Sequence, residues 1–278
     1  MTPEAMRLKS LLKNKAASSG VSAQALLQGY MLERLLDRLS RSDFRARFVL
    51  KGGVLLMGLL GVRRRTTMDL DATLRGIALT EENVLRLLRE VCSISLPDRT
   101  SFAVLDAGPI RKDDRYGGFR VRLLATYETI RTPLTVDVSA GDAITPGPVE
   151  HVLRGQFDAD AEYRVFGYPV ETVLAEKAES ILSLGEFGTR PRDWYDVHAI
   201  VLSIPFDRAL FAAALSATAA HRGTESVVAD AANILETLSR SAQQRRQWEQ
   251  YRRRFAYAKD IGFDTVLDSL RQLLITAK

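Results

Sequence analysis

A single cysteine, Cys92, stands in the 278 residues, so an internal disulfide is excluded and a reducing, cytoplasmic setting is expected. The three histidines, His151, His198 and His221, lie far apart, which argues against a zinc cluster. No apolar run approaches the roughly 18–20 residues of a membrane span, so no membrane partner is expected. The opening stretch, MTPEAMRLKSLLKNKAASSG, lacks the apolar core and small-residue cleavage site of a secretory signal. Internal repeats and low-complexity tracts are absent too. What is there, 46% hydrophobic and 26% charged residues, is the composition of a soluble globular chain. Its length lies near the point where one core splits into two lobes.

Charge is unevenly spread. The net charge is +5, yet residues 1–65 hold 13 Lys/Arg against 4 Asp/Glu, and the remainder is acidic on balance. A second basic cluster, residues 241–259, holds six basic residues and one acid, Glu249. Two basic surfaces around a more acidic body suit a polyanionic partner such as RNA; a solvated helix face is the alternative for each.

Apolar spacing predicts helices over 4–17 and 22–41, the second capped by Ser22. A short strand, 47–51, runs into Gly52-Gly53 and a helix over 54–61. Residues 66–74, TTMDLDATL, alternate strictly, with Met68, Leu70, Ala72 and Leu74 on one face and Thr67, Asp69, Asp71 and Thr73 on the other. Thr80 caps a helix to about Val91. Strands follow at 101–106, 118–127 and 133–139, the last with Val136 and Val138 inward and Thr135, Asp137 and Ser139 outward. Residues 141–155 read as loop. From Pro169 onward the pattern is helical: 170–184, 191–203, 206–220, 224–240, 242–258 and 263–276. Strands grouped apart from helices argue an α+β fold.

Asp69 and Asp71 share a strand face, about 6–7 Å apart at their roots. Such a pair is costly unless a cation sits between, and Mg²⁺ takes a few carboxylates together with substrate phosphates. Asp137, on a strand with the same alternation, would add a third carboxylate if its strand lies alongside. Gly52-Gly53 presents bare backbone N–H groups at a helix start, where phosphate binds, or else is simply a tight turn. Of Arg63, Arg64 and Arg65, at least one is expected to clamp a triphosphate. Lys177 falls in the middle of an apolar stripe of Val170, Val173, Leu174 and Ile181, a place for an amine that reaches an anion or snorkels to the surface. Asp193 and Asp196, one helical turn apart in RPRDWYD, can orient Lys177 or Arg192 or touch a nucleotide base. Trp248, Tyr251 and Phe255 recur among arginines, either to stack on unpaired bases or to pack the last helices.

KGGVLL (51–56), RTTMDLD (65–71), VDV (136–138), AEK (175–177) and RPRDWYD (190–196), in this order, resemble the AbiEii/AbiGii family of nucleotidyltransferase-like toxins. These are MenT-like toxins of the type IV toxin–antitoxin kind and relatives of DNA polymerase β. The resemblance runs from about residue 45 to 205. It implies a nucleotidyltransferase core with a mixed or antiparallel sheet in residues 1–165, behind N-terminal helices, and a helical C-terminal lobe in 166–278. It also implies an NTP substrate, Mg²⁺ or Mn²⁺, and a cognate antitoxin.

By the same resemblance, Asp69, Asp71, Asp137, Lys177 and Asp193 are the expected catalytic residues. Asp69, Asp71 and Asp137 would be the metal ligands. Gly52, Gly53, Arg65, Thr67, Lys177 and Asp196 would contact the nucleotide. The last acidic motif falls on Asp193 or Asp196. Some family members add nucleotides to tRNA 3′ ends, which makes tRNA or another RNA the expected acceptor; transfer to a protein or small molecule, or nucleotide and RNA binding without catalysis, are the alternatives. Thr67, placed beside Asp69, is an expected site of inhibitory phosphorylation.

Overall fold

The computed structural model of the chain describes residues 2–110, 117–158 and 160–275. The chain forms two compact units: Met1–Asp142 with Val149–Gly167, and Ala143–Pro148 with Tyr168–Lys278.

In the first unit, α1 (Pro3–Ser19) and α2 (Ala23–Arg41) open the chain, and their caps follow from the sequence. Thr2 Oγ1 accepts from Ala5 N–H and Ser22 Oγ accepts from Ala25 N–H, satisfying donors the helix cannot. Then come β1 (Phe48–Lys51), α3 (Gly52–Leu60), β2 (Asp69–Leu74) and α4 (Glu81–Ser93), the last capped by Thr80 as expected. β3 (Thr100–Pro109), β4 (Gly118–Tyr127), β5 (Ile130–Ser139), β6 (Val149–Arg154) and β7 (Glu162–Gly167) follow. Among the described residues seven strands form one mixed sheet in the order β3-β4-β5-β2-β1-β7-β6. β2 runs parallel to β5 and antiparallel to β1. The apolar face of its centre is built from Leu50, Leu70, Ala72, Val136 and Val138, all buried. α2 packs against β5 and β7, and α3 against β1 and β2.

The second unit is helical: α5 (Val170–Leu184), α6 (Pro191–Ser203), α7 (Arg208–Arg222), α8 (Glu225–Ala229), α9 (Ala231–Arg240), α10 (Ala242–Arg254) and α11 (Phe263–Ile275). Pro191 occupies the first turn of α6, where its missing N–H costs nothing. No helix among the described residues is long and apolar enough to cross a membrane.

The α+β architecture is the one expected, with three local corrections. Part of the expected loop 141–155 is the edge strand β6, and β7 was not foreseen. The strand expected over 66–74 begins only at Asp69, leaving Met68 47% exposed rather than on the core face. The helix expected over 224–240 breaks at Asp230, whose carboxylate accepts from the Asn233 side-chain amide.

Candidate active site

The centre of the sheet carries a row of charges across four strands. In register, Lys51 on β1 faces Asp71 on β2, Asp71 faces Asp137 on β5, and Asp137 faces Arg120 on β4. Neighbouring strands lie about 4.8 Å apart, so two carboxylates stand side by side with a cation outside each. Asp69, two residues before Asp71, is on the same face and exposed. Register thus sets Asp71 beside Asp137, while Asp69 lies opposite Thr135.

The outer cations are engaged differently. Arg120 grips Asp137 with two hydrogen bonds, Nε to Oδ1 at 2.8 Å and Nη2 to Oδ2 at 2.7 Å. Lys51 instead turns to Ser139 Oγ and Asp142 Oδ2, both at 2.7 Å. Asp142 also accepts from Thr73 and Ser139 hydroxyls. Burial pushes the Asp142 carboxyl up, but Lys51 and the two hydroxyls outweigh it and hold it at about 2. Asp71 goes the other way. Burial and the neighbouring Asp137 raise it, against the pull of Lys51 and a hydrogen bond from the Gly53 N–H.

The Gly-Gly turn is fitted to this row. Gly52 has φ +60°, and a Cβ there would overlap Asp71 Oδ2; a Cβ on Gly53 would lie 2.5 Å from Thr67 Oγ1. α3 starts without any side-chain cap, and its Gly53 N–H points at the Asp71 carboxyl. Arg65, expected to clamp phosphate, is 2% exposed, and its guanidinium donates to the Thr66 carbonyl. Nη2 lies 3.3 Å from the position of a Gly53 Cβ, so Arg65 supports the turn from within the protein. Thr67 is buried as well, and its hydroxyl donates to the Asp69 carbonyl at 3.1 Å. That position does not offer the hydroxyl to a modifying enzyme, contrary to the expectation for Thr67. Arg63 and Arg64 are exposed.

In the helical unit, Lys177 on α5 meets both acids of the RPRDWYD motif on α6. Its Nζ lies 2.8 Å from Asp193 Oδ1 and 2.7 Å from Asp196 Oδ2. Asp196 is fully buried, while Asp193 and Lys177 keep about an eighth of their side chains exposed. The amine in the middle of an apolar stripe is thus an ion pair rather than a snorkelling side chain. The aromatic series resolves towards packing. Trp248 is buried and donates to the Ile261 carbonyl, and Tyr251 is buried among Tyr195, Trp248 and Tyr257. Phe255 alone of the three is half-exposed.

Comparison with known proteins decides the family. The family described as nucleotidyl transferase AbiEii toxin, type IV TA system, matches residues 34–269. The chain belongs to the AbiEii family. Two solved structures from Helicobacter pylori share the fold at TM-score 0.51 and 17% identity. One, a candidate nucleotidyltransferase, covers 92% of this chain and 94% of its own; the other, JHP933, covers 92% and 91%. A comparison with curated proteins gives no match.

AbiEii membership implies an NTP substrate and typically a divalent metal. Among the described residues no three His, Cys, Asp or Glu side chains stand ready to enclose a metal ion. What stands ready is Asp69 and Asp71, with Asp137 directly opposite Asp71 on β5 and held by Arg120. Mg²⁺ commonly binds through one or two carboxylates, with water and substrate phosphate completing its shell. The donor set fits that mode. Three residues of this site escaped the sequence reading as functional: Lys51, Arg120 and Asp142. Only Lys51 carried a signal, its place immediately before Gly52-Gly53.

Proposed function

We propose that this AbiEii-family chain transfers nucleotides from an NTP to an RNA acceptor, the 3′ end of tRNA, and thereby blocks translation until a cognate antitoxin restrains it. The observation that carries the reading is the register pairing of Asp71 with Asp137, with Asp69 on the same face, beside an uncapped glycine turn. In this reading Asp69 and Asp71 would hold Mg²⁺, which would supply charge neutralisation to the triphosphate. The Gly52-Gly53 turn and its support, Arg65 and Thr67, keep the Asp71 carboxyl in place. In the helical unit, Lys177, held by Asp196 and Asp193, keeps the role that the resemblance implies for it, a contact to nucleotide phosphate. Asp137 takes the proton of the acceptor hydroxyl or contributes to a second metal ion. The new phosphodiester forms as the bond to pyrophosphate breaks. Catalysis of this kind rests on positioning and charge neutralisation rather than on covalent chemistry by the protein.

The test is transfer of each radiolabelled NTP to purified tRNA, with and without Mg²⁺. The expected result is label at the tRNA 3′ terminus that requires Mg²⁺ and disappears in Asp69→Ala. Label on protein or on a small molecule instead would move the acceptor elsewhere, and metal-independent transfer would remove the carboxylates from their role.

A further inference from the structure

The helical unit contains a cavity of about 570 Å³, within the size range of small-ligand sites. Its walls come from the start of α6 and the end of α10. Three arginines, Arg190, Arg192 and Arg254, line it with Gln247, Gln250 and Phe255, and one acid, Asp193, whose carboxylate is held by Lys177. All three arginines are exposed, and among the described residues none of them is paired with a carboxylate. Their neighbours behave otherwise. Arg245 is bound by Asp264 at 2.7 Å, and Arg252 and Arg253 share Glu249. Arg245, Arg252 and Arg253 of the basic cluster are thus paired within the protein, while Arg254 joins Arg190 and Arg192 at the opening.

The floor is aromatic. Phe255 packs with centroids 4.7 Å from Tyr251 and 5.3 Å from Tyr257, the latter nearly parallel at 23°. Buried Tyr251 hydrogen-bonds Tyr257, so the ring is braced from behind. The guanidinium carbons of Arg254 and Arg192 lie 5.5 and 6.0 Å from the Phe255 centroid. A ring braced on one side, with cations at its rim and two amide side chains beside it, has the elements that hold an unpaired nucleotide. Bases stack on such a ring, guanidiniums take the flanking phosphates, and amides reach the base edge.

We infer that this cavity binds an unpaired nucleotide of single-stranded RNA. The inference rests on the proposed RNA acceptor and adds where its single-stranded end is gripped. A free NTP shares the same chemistry, and the experiment separates the two sources. Three cations at one opening suit a run of backbone phosphates, and the uncapped glycine turn that suits a triphosphate is that of α3.

The probe is a 12-nucleotide single-stranded RNA carrying 2-aminopurine near its 3′ end, titrated by anisotropy over a range of salt. The double variant Arg192→Gln/Arg254→Gln alters only exposed side chains and keeps the wild-type melting temperature. It is expected to bind the oligomer about tenfold more weakly and to flatten the slope of log K against log salt by about 1.4, two contacts at ~0.7 each. Phe255→Leu is expected to lose the quenching of 2-aminopurine that stacking produces. Affinity for free NTP is expected to stay within twofold in both variants. Unchanged RNA affinity and slope, or unchanged quenching, would overturn the inference. A parallel fall in NTP affinity would overturn it too, by making the cavity a donor subsite. A wild-type protein that binds the oligomer through these residues but labels no RNA would remove the transfer reading and uphold the cavity. Labelling of RNA with the same KM in wild type and variants would remove the cavity alone.

Discussion

Glu33 on α2 is 3% exposed and accepts a hydrogen bond from the Gln156 backbone N–H at 2.6 Å. Burial pushes its carboxyl up from 4.5 to about 7, against the hydrogen bonds from Gln156 and Phe157 and the charge of Arg34. The folded chain therefore keeps a proton that the unfolded chain gives up. Below about pH 4.5 both states are protonated and folding pays nothing for this group. As pH rises to about 7 the unfolded state ionises first, so stability falls through that window. A gap of more than two units corresponds to about 3 kcal/mol. Glu33→Gln keeps the acceptor and removes the charge. Its melting temperature is expected to exceed wild type at pH 8, match it near pH 4.5, and lose most of the pH dependence between. At the same scale, Gly52→Ala combines a left-handed φ with overlap on Asp71. It is expected to cost about 1–3 kcal/mol in urea denaturation and to abolish nucleotide transfer, because Asp71 must swing aside.

Between elements, the decisive tie in the helical unit is Lys177 of α5 with Asp193 and Asp196 of α6. Asp196→Ala removes the fully buried partner and leaves Lys177 with only the slightly exposed Asp193. Breaking a buried pair costs about 3–5 kcal/mol, and chemical denaturation is expected to show a loss of that order, whereas exposed Asp69→Ala is expected to leave stability within about 0.5 kcal/mol. This pairing was half legible in the sequence: periodicity put Lys177 in an apolar stripe and both acids on one helical turn, but which acid it meets is a matter of packing, and it meets both. The alternation of β2 and β5 made Asp71 and Asp137 visible as outward residues. Their adjacency depends on strand register, which a single sequence does not encode locally, so Lys51, Arg120 and Asp142 went unseen as partners. β7 was readable, since Tyr163 and Val165 alternate with Glu162 and Arg164 and are the buried ones. β6 was not, because an edge strand following Pro146, Gly147 and Pro148 buries little on either face. The break at Asp230 carries no side-chain cap, so no capping residue signals it in the sequence.

Across the whole molecule, a count of charges overstates what a polyanion would meet. Residues 1–65 carry nine more basic than acidic residues, yet many of those cations are spent on partners inside their own unit. Arg38 is buried against Asp98, Arg41 pairs with Asp37, Arg45 with Glu150 and Lys51 with Asp142. The cations left facing solvent on α1 are Arg7, Lys9 and Lys13. Counterion release makes RNA affinity fall with salt in proportion to the phosphates contacted, not to the net charge. If RNA runs over α1, replacing Arg7, Lys9 and Lys13 together by Gln, a good helix former, flattens the slope of log K against log salt for tRNA by about 2, at ~0.7 per contact. Arg252→Gln/Arg253→Gln removes two charges from the other basic cluster, but both already share Glu249, and the slope is expected to change by less than about 0.5. Equal flattening in the two variants would mean that binding follows total charge. A flat response in the α1 variant would confine the RNA to the arginines of the helical unit.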